Sequence, residues 1–229
     1  MSKDGFEDYY LRLNPPDRAY YQKKARGYDR RFGRILDAAK VQSVLDLGCA
    51  TGLLSNYLCQ RGCRDVVGVD VNEQLIEVAR RNVPAQFVAD DAAHYLATCG
   101  RKFDVIFMLD LLEHVPREKI VELLRLARQA VNDGGFVLVR TPNMNCFLSA
   151  GQFYGDWTHL TPFTERALEH VARQAGFSRL VHCNQFRMQN FKGKIRACIN
   201  AVLLWVTFRL RGGHQPKVYQ RNLVAQLHP

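Results

Sequence analysis

The chain has 229 residues, of which 47% are hydrophobic and 24% charged. That is enough for one α/β domain with a sizeable core, and it excludes a disordered chain, a collagen-like fibre and a disulfide knot. The net charge of +10 is concentrated: residues 170–229 hold ten Lys or Arg and no Asp or Glu, and residues 1–169 are neutral.

Strand-like and helix-like patterns alternate along most of the chain. Residues 1–40 read as a helical cap. Residues 41–49 predict a strand running into a glycine turn, 51–61 a helix stopped by Gly62, and 65–71 a second strand. Residues 72–82 predict a helix with Asn72 or Asp70 near its N-cap, 85–90 a short third strand and 103–109 a fourth, almost wholly apolar strand. Residues 116–131 read as a helix ended by Gly134-Gly135, and 136–140 as a fifth strand. The stretch 144–163 is irregular, rich in Asn, Gly and aromatics, and too long for an ordinary connection; it reads as a functional lid or pocket wall. A helix over 164–175 follows, with Thr164 as N-cap and Gly176 just past its end. Residues 178–183 and 219–226 are the last strand candidates. Strands apolar on both faces, alternating with helices, specify a doubly wound, mostly parallel α/β sheet over residues 41–229.

The seven cysteines form no C-x-x-C pair, so a zinc site is not expected, and no His/Asp cluster has metal-ligand spacing. The first residues lack an apolar run, so no secretory signal is expected and the chain is placed in a reducing cytoplasm.

The sharpest local signal is VLDLGCATG, where a buried strand meets small residues and then a helix. Such a turn lets a ligand approach the backbone, and the N–H groups of the following helix can meet an anionic group. Asp70 ends the next strand, where a carboxylate suits a ribose diol. Asp90-Asp91 ends the third strand; one of the two can accept from an adenine amino group and the other can cap the following turn.

Together VLDLGCATG, VVGVDV, FVADD and FDVIFMLDLLEHV resemble the class I S-adenosylmethionine (SAM) methyltransferases. The likeness is strong over residues 41–140 and continues through WTHLTPFT and RNLVA. The G-x-G-x-x-G spacing of dinucleotide dehydrogenases does not fit. Ala50 stands where most relatives have a second glycine. The resemblance implies a Rossmann-like sheet of seven strands, the last antiparallel, with SAM across the carboxyl ends of the first strands. It implies a cofactor set of Asp46, Gly48, Cys49, Ala50, Gly52, Asp70, Val71, Asp90, Asp91 and Leu109.

Methyl transfer needs collinear acceptor and methyl group, and a base when the acceptor is a hydroxyl. Two histidines are candidates: His114, just beyond the fourth strand, and His159, in the irregular stretch. The expected assignment makes His159 the base and Asp156 the group that orients it or the acceptor. The D-x-x-H pattern resembles that of sugar and quinone O-methyltransferases. His114 is expected at the SAM edge or in a stabilising role. Asn14-Pro15-Pro16-Asp17 resembles the Asn-Pro-Pro motif of amino-methylating nucleic-acid enzymes. Its place ahead of the sheet is wrong for that role, and it reads as a turn with a helix start.

Residues 191–211, FKGKIRACINAVLLWVTFRLR, are too short in their uncharged core to span a bilayer as a helix. Wound as a helix, Lys192, Arg196, Asn200, Thr207 and Arg211 fall on one stripe, and apolar residues including Trp205 cover the rest. Two readings stay open: an anionic membrane surface, making the protein peripheral, or packing on the domain or on a second copy in a homodimer. The leading functional expectation is an O-methyltransferase acting on a glycan or lipid-linked glycan. A quinone-precursor O-methyltransferase is the alternative, ahead of an RNA methyltransferase or a non-catalytic SAM-binding protein. Nucleic acid is the weaker partner, because the basic residues are interleaved with aliphatic side chains rather than with exposed aromatics.

Overall fold

The computed structural model describes residues 10–146, 149–183, 191–211, 218 and 220–229. The first nine residues of the expected cap, residues 147–148 of the expected lid and position 219 of the last strand candidate lie outside this set. The chain divides into two compact units, Met1–Phe107 and Met108–Pro229.

Seven strands form the sheet: β1 (Ser43–Leu47), β2 (Asp65–Asp70), β3 (Gln86–Ala89), β4 (Phe103–Leu109), β5 (Val131–Pro142), β6 (Arg179–His182) and β7 (Asn222–His228). Their order is β3-β2-β1-β4-β5-β7-β6. β2 runs parallel to β1 and β3, and β7 runs antiparallel to both β5 and β6. This is the doubly wound α/β arrangement expected from the alternation of patterns, with the last strand reversed.

In the first unit, Asp17 caps the Arg18–Ala39 helix by accepting from the Tyr20 N–H at 2.8 Å. Asn14-Pro15-Pro16-Asp17 is therefore a helix start, as its position suggested. The helix buries Tyr21, Phe32 and Leu36. The Phe32 ring meets Phe107 edge-on, with centroids 5.7 Å apart. Arg61, at the end of the Leu53–Gln60 helix, pairs with both Asp29 and Asp37 of the first helix. The cap of the Glu73–Asn82 helix is Asn72, whose side chain accepts from the Leu75 N–H at 3.0 Å. A further helix, Ala92–Thr98, was not visible in the sequence pattern, because its seven residues bury only Leu96.

Two expectations are corrected in the second unit. The Arg117–Gln129 helix stops at Ala130, and β5 begins at once with Val131. Gly134-Gly135 lies inside that strand rather than ending the helix. Gly134 takes a left-handed step, φ 80°, that only glycine adopts readily. The stretch 144–163 is not wholly irregular: it contains the Ala150–Tyr154 helix. Its flanks are tied to the C-terminal segment. Asn143 Nδ2 donates to the carbonyls of Val218 and Gln220 at 3.0 and 2.8 Å, and Ser149 Oγ donates to Arg221 O at 2.7 Å.

Residues Phe191–Arg211 form one continuous helix. Of the expected polar stripe, only the Thr207 side chain is described. It is exposed, and its hydroxyl donates to Leu203 O at 2.8 Å. Lys192, Arg196, Asn200 and Arg211 lie outside the described side chains. Among the described residues, no helix is long and apolar enough to cross a membrane.

Candidate active site

The first unit holds the glycine turn. Gly48, Ala50 and Gly52 all have positive φ, at 73°, 47° and 75°. Gly48 N–H and Cys49 N–H both donate to Val69 O, at 2.8 and 3.1 Å, which fastens the turn to the end of β2. The Asp70 carboxylate completes the fastening, with Oδ2 accepting from Ala50 N–H at 2.8 Å and Oδ1 from Asn72 N–H at 2.9 Å. Burial raises the Asp70 carboxyl, and these two N–H donors partly offset the rise. A carboxylate has about four acceptor positions, so Asp70 keeps capacity for hydroxyl donors.

The predicted cofactor residues separate into those that brace the turn and those that border it. Asp46 is 2% exposed, and its carboxylate accepts from Ser55 Oγ at 2.8 Å. This hydrogen bond joins the end of β1 to the Leu53–Gln60 helix on either side of the turn. Burial pushes its carboxyl up to about 7, with Ser55 opposing the rise and Asp70 adding to it. Cys49 is also buried, and its thiol is raised well above the ordinary value by the same desolvation. Val71 is 73% exposed beyond β2, and Leu109 is half-buried at the end of β4 in the second unit. Asp91 is the N-cap of the Ala92–Thr98 helix, accepting from Ala93 and His94 N–H at 2.9 and 3.1 Å. Asp90 is the half-buried neighbour, facing His94 Nδ1 at 2.8 Å. Asp91 is thus the capping member of the pair, and Asp90 remains the candidate for the adenine contact.

Sequence reasoning missed Tyr21, whose hydroxyl donates to Thr51 O from the first helix. An aromatic on an N-terminal helix carries no spacing signal toward a turn 30 residues away.

The second unit holds both candidate histidines. His159 Nδ1 lies 2.8 Å from Phe153 O. A carbonyl only accepts, so Nδ1 carries a proton, and in the neutral ring the lone pair is on Nε2. His114 Nδ1 lies 2.9 Å from Thr158 Oγ1 and 3.3 Å from Thr158 O. Thr158 in turn donates its hydroxyl and its N–H to Asp156 Oδ1, at 2.6 and 2.9 Å. The carboxylate, hydroxyl and imidazole form a chain that places the His114 proton on Nδ1. Asp156 was expected to orient His159 or the acceptor. Its hydrogen bonds go to Thr158 and through it to His114, and its Oδ2 lies 3.9 Å from His159 Nε2. Burial alone would raise the Asp156 carboxyl, but the Thr158 donors and the two imidazoles outweigh it and hold the group below its ordinary range. His114 is lowered, by burial first and His159 second, so it stays neutral near pH 7.

Glu113 joins this cluster. It is 1% exposed, and among the described residues neither carboxylate oxygen makes a hydrogen bond of good geometry. Burial and the nearby Asp110 charge push it up to about 8. Asp110, at φ 54°, is clamped by Arg140, whose Nε lies 2.8 Å from Oδ1. The Glu113 carbonyl accepts from Leu160 and Thr161 N–H at 2.7 and 3.0 Å and so anchors the segment that carries His159. Glu113, His114 and His159 each offer a ligand atom within 4.8 Å of the others, a set that can hold a divalent cation. Linear spacing had pointed to no such cluster, because His159 is remote from the other two in the chain.

A family model described as a methyltransferase domain matches residues 18–182. The chain belongs to this methyltransferase family. A ubiquinone biosynthesis O-methyltransferase from Proteus mirabilis is 31% identical over 139 residues, covering 58% of this chain and 51% of the relative. One of the same description from Azorhizobium caulinodans is 38% identical over 121 residues, covering 50% and 47%. The chain spans about half the length of the curated relatives it matches. Among solved structures, a SAM dependent methyltransferase from Archaeoglobus fulgidus has a TM-score of 0.65 at 22% identity, covering 88% of this chain and 94% of that one. A magnesium protoporphyrin IX methyltransferase from Synechocystis, crystallised with SAM, has a TM-score of 0.58 at 17% identity, covering 99% and 92%. At those identities the structures speak for the methyltransferase fold.

Proposed function

We propose that this methyltransferase-family chain is a SAM-dependent O-methyltransferase whose acceptor is a ring hydroxyl of a quinone precursor. The observation that carries the O-methyl reading is the histidine pair with both Nδ1 atoms engaged, which leaves imidazole Nε2 atoms to take a hydroxyl proton. The relatives' descriptions favour a quinone precursor over the glycan acceptor expected from the sequence.

The residues at the turn suit SAM. The Leu53–Gln60 helix begins at Gly52, and among the described residues no side chain caps its first N–H groups, so these can meet the methionine carboxylate. Asp70 has acceptor capacity for the ribose hydroxyls, Val71 offers apolar surface beside it, and Asp90 can accept from the adenine amino group. When bound, SAM supplies an activated methyl on a sulfonium.

The chain's own work is positioning and proton handling. His159 Nε2 would accept the proton of the acceptor hydroxyl, the oxygen to which bound SAM would supply its methyl group. The Asp156 carboxylate, held ionised by Thr158, stabilises the resulting imidazolium. His114 stays neutral beside it, which avoids a second positive charge. The test is methyl transfer from labelled SAM to catechol-type and glycan acceptors, with SAM affinity followed by calorimetry. Transfer to the phenolic panel, with Asp70→Ala abolishing SAM binding and His159→Ala abolishing turnover at intact SAM affinity, is the expected result. Transfer only to glycans would overturn the acceptor, and absence of SAM binding would overturn the whole reading.

A further inference from the structure

The Phe191–Arg211 helix exposes a row of large apolar side chains. Leu210 is 81% exposed and Val202 60%, and Ile195, Ile199, Leu203, Trp205 and Val206 are exposed as well. At about 100° per residue these seven fall within an arc of about 160°. Scattered exposed apolar residues are ordinary, but a contiguous stripe on one helix marks a surface meant to be covered.

Charge identifies what covers it. The helix contains Lys192, Lys194, Arg196, Arg209 and Arg211 and no acidic residue, and no Asp or Glu occurs anywhere in residues 170–229. Basic residues lie toward both ends, and the apolar run lies between them. A second copy of the same helix would bring like charges together without a carboxylate to pair them. A nucleic acid would not cover Ile, Val and Leu side chains. An anionic bilayer surface satisfies both features, because acyl chains take the apolar face and headgroup phosphates take the cations. Trp205 has the amphipathic character favoured at the level of the headgroups.

We infer that the exposed face of the Phe191–Arg211 helix is a docking surface for an anionic lipid membrane, on which the helix lies in the interfacial plane without spanning it. The inference stands on the helix and its charge, and it does not depend on the acceptor proposed above.

The test is flotation of the full chain with vesicles of phosphatidylcholine alone or with phosphatidylglycerol added, at low and high salt. Binding should require the anionic lipid, weaken with salt, and fall about tenfold or more in Val202→Glu/Val206→Glu. SAM affinity of that variant serves as the folding control. In a Trp157→Phe background, emission from Trp205 should shift to shorter wavelength on anionic vesicles. Leu210→Glu, at the most exposed position, provides a second variant if the first does not fold. Failure of the parent chain to float with anionic vesicles would overturn the inference, whether the chain stays monomeric, forms a dimer by sedimentation or binds single-stranded RNA instead. Equal binding by parent and variant would overturn it too.

Discussion

His114 and His159 stand with ring centroids 4.6 Å apart, and each commits Nδ1 to a neighbour, Thr158 for His114 and the Phe153 carbonyl for His159. Two imidazoles this close cannot both be protonated without mutual repulsion. The pair therefore has one neutral member whenever the other takes a proton, and burial makes His114 the neutral one.

Replacing His159 with Ala should lower kcat by about 100-fold or more, the usual effect of losing a positioned base. SAM affinity should be unchanged. Single-turnover methyl transfer and calorimetry check both halves.

Thr158→Val keeps the shape of the side chain and removes the hydroxyl that joins Asp156 to His114. The expected loss in kcat is about tenfold, equivalent to about 1.4 kcal/mol of barrier. Asp156→Asn removes a charge that raises His114, so that imidazole should stay neutral to lower pH, read as a downward shift of its NMR titration. An unmoved His114 titration would mean that Asp156 does not act on that ring.

Ala50 sits at φ 47°, where a side chain costs about 1–2 kcal/mol and glycine costs nothing sterically. Glycine also gains unfolded-chain entropy, which offsets about 0.4–1 kcal/mol of the relief. Ala50→Gly should therefore stabilise the chain by a few tenths to about 1 kcal/mol, measurable by urea unfolding. Gly68→Ala should do the reverse. A Cβ there would lie 2.6 Å from two Phe87 ring carbons and 2.9 Å from Cys49 Sγ. Both neighbours are buried, so the loss should be about 1–3 kcal/mol.

Asp46 gives a pH signature. Its folded-state value of about 7 lies above its ordinary carboxyl value of 3.8, so the folded chain binds the proton more tightly than the unfolded one. The associated stability is complete below about pH 3.8 and is lost as pH rises through about 7. Asp46→Asn keeps an acceptor for Ser55 and removes the titration. Between pH 5 and 8 the parent should lose about 1 kcal/mol or more relative to the variant, read from paired urea titrations.

What the sequence alone determined was local and periodic. The apolar runs, the small-residue turn at Gly48–Gly52 and the carboxylates at strand ends placed all seven strands so that each overlaps its observed range, and they put Asp70 at the end of β2, because those signals depend on neighbours in the chain. Its errors fell where the local signal was weak or ambiguous. Gly134-Gly135 reads equally as a helix stop or as a step within a strand, and the seven-residue Ala92–Thr98 helix buries too little to show a period. Only the tertiary structure decided that the Asp46 carboxylate meets Ser55 in the core and that hydrogen bonds run from Asp156 through Thr158 to His114. It also brought Glu113 and His159 together, and it left one face of the Phe191–Arg211 helix uncovered. Burial and hydrogen-bond partners are properties of distant segments meeting, and spacing along a chain carries no record of which segments meet.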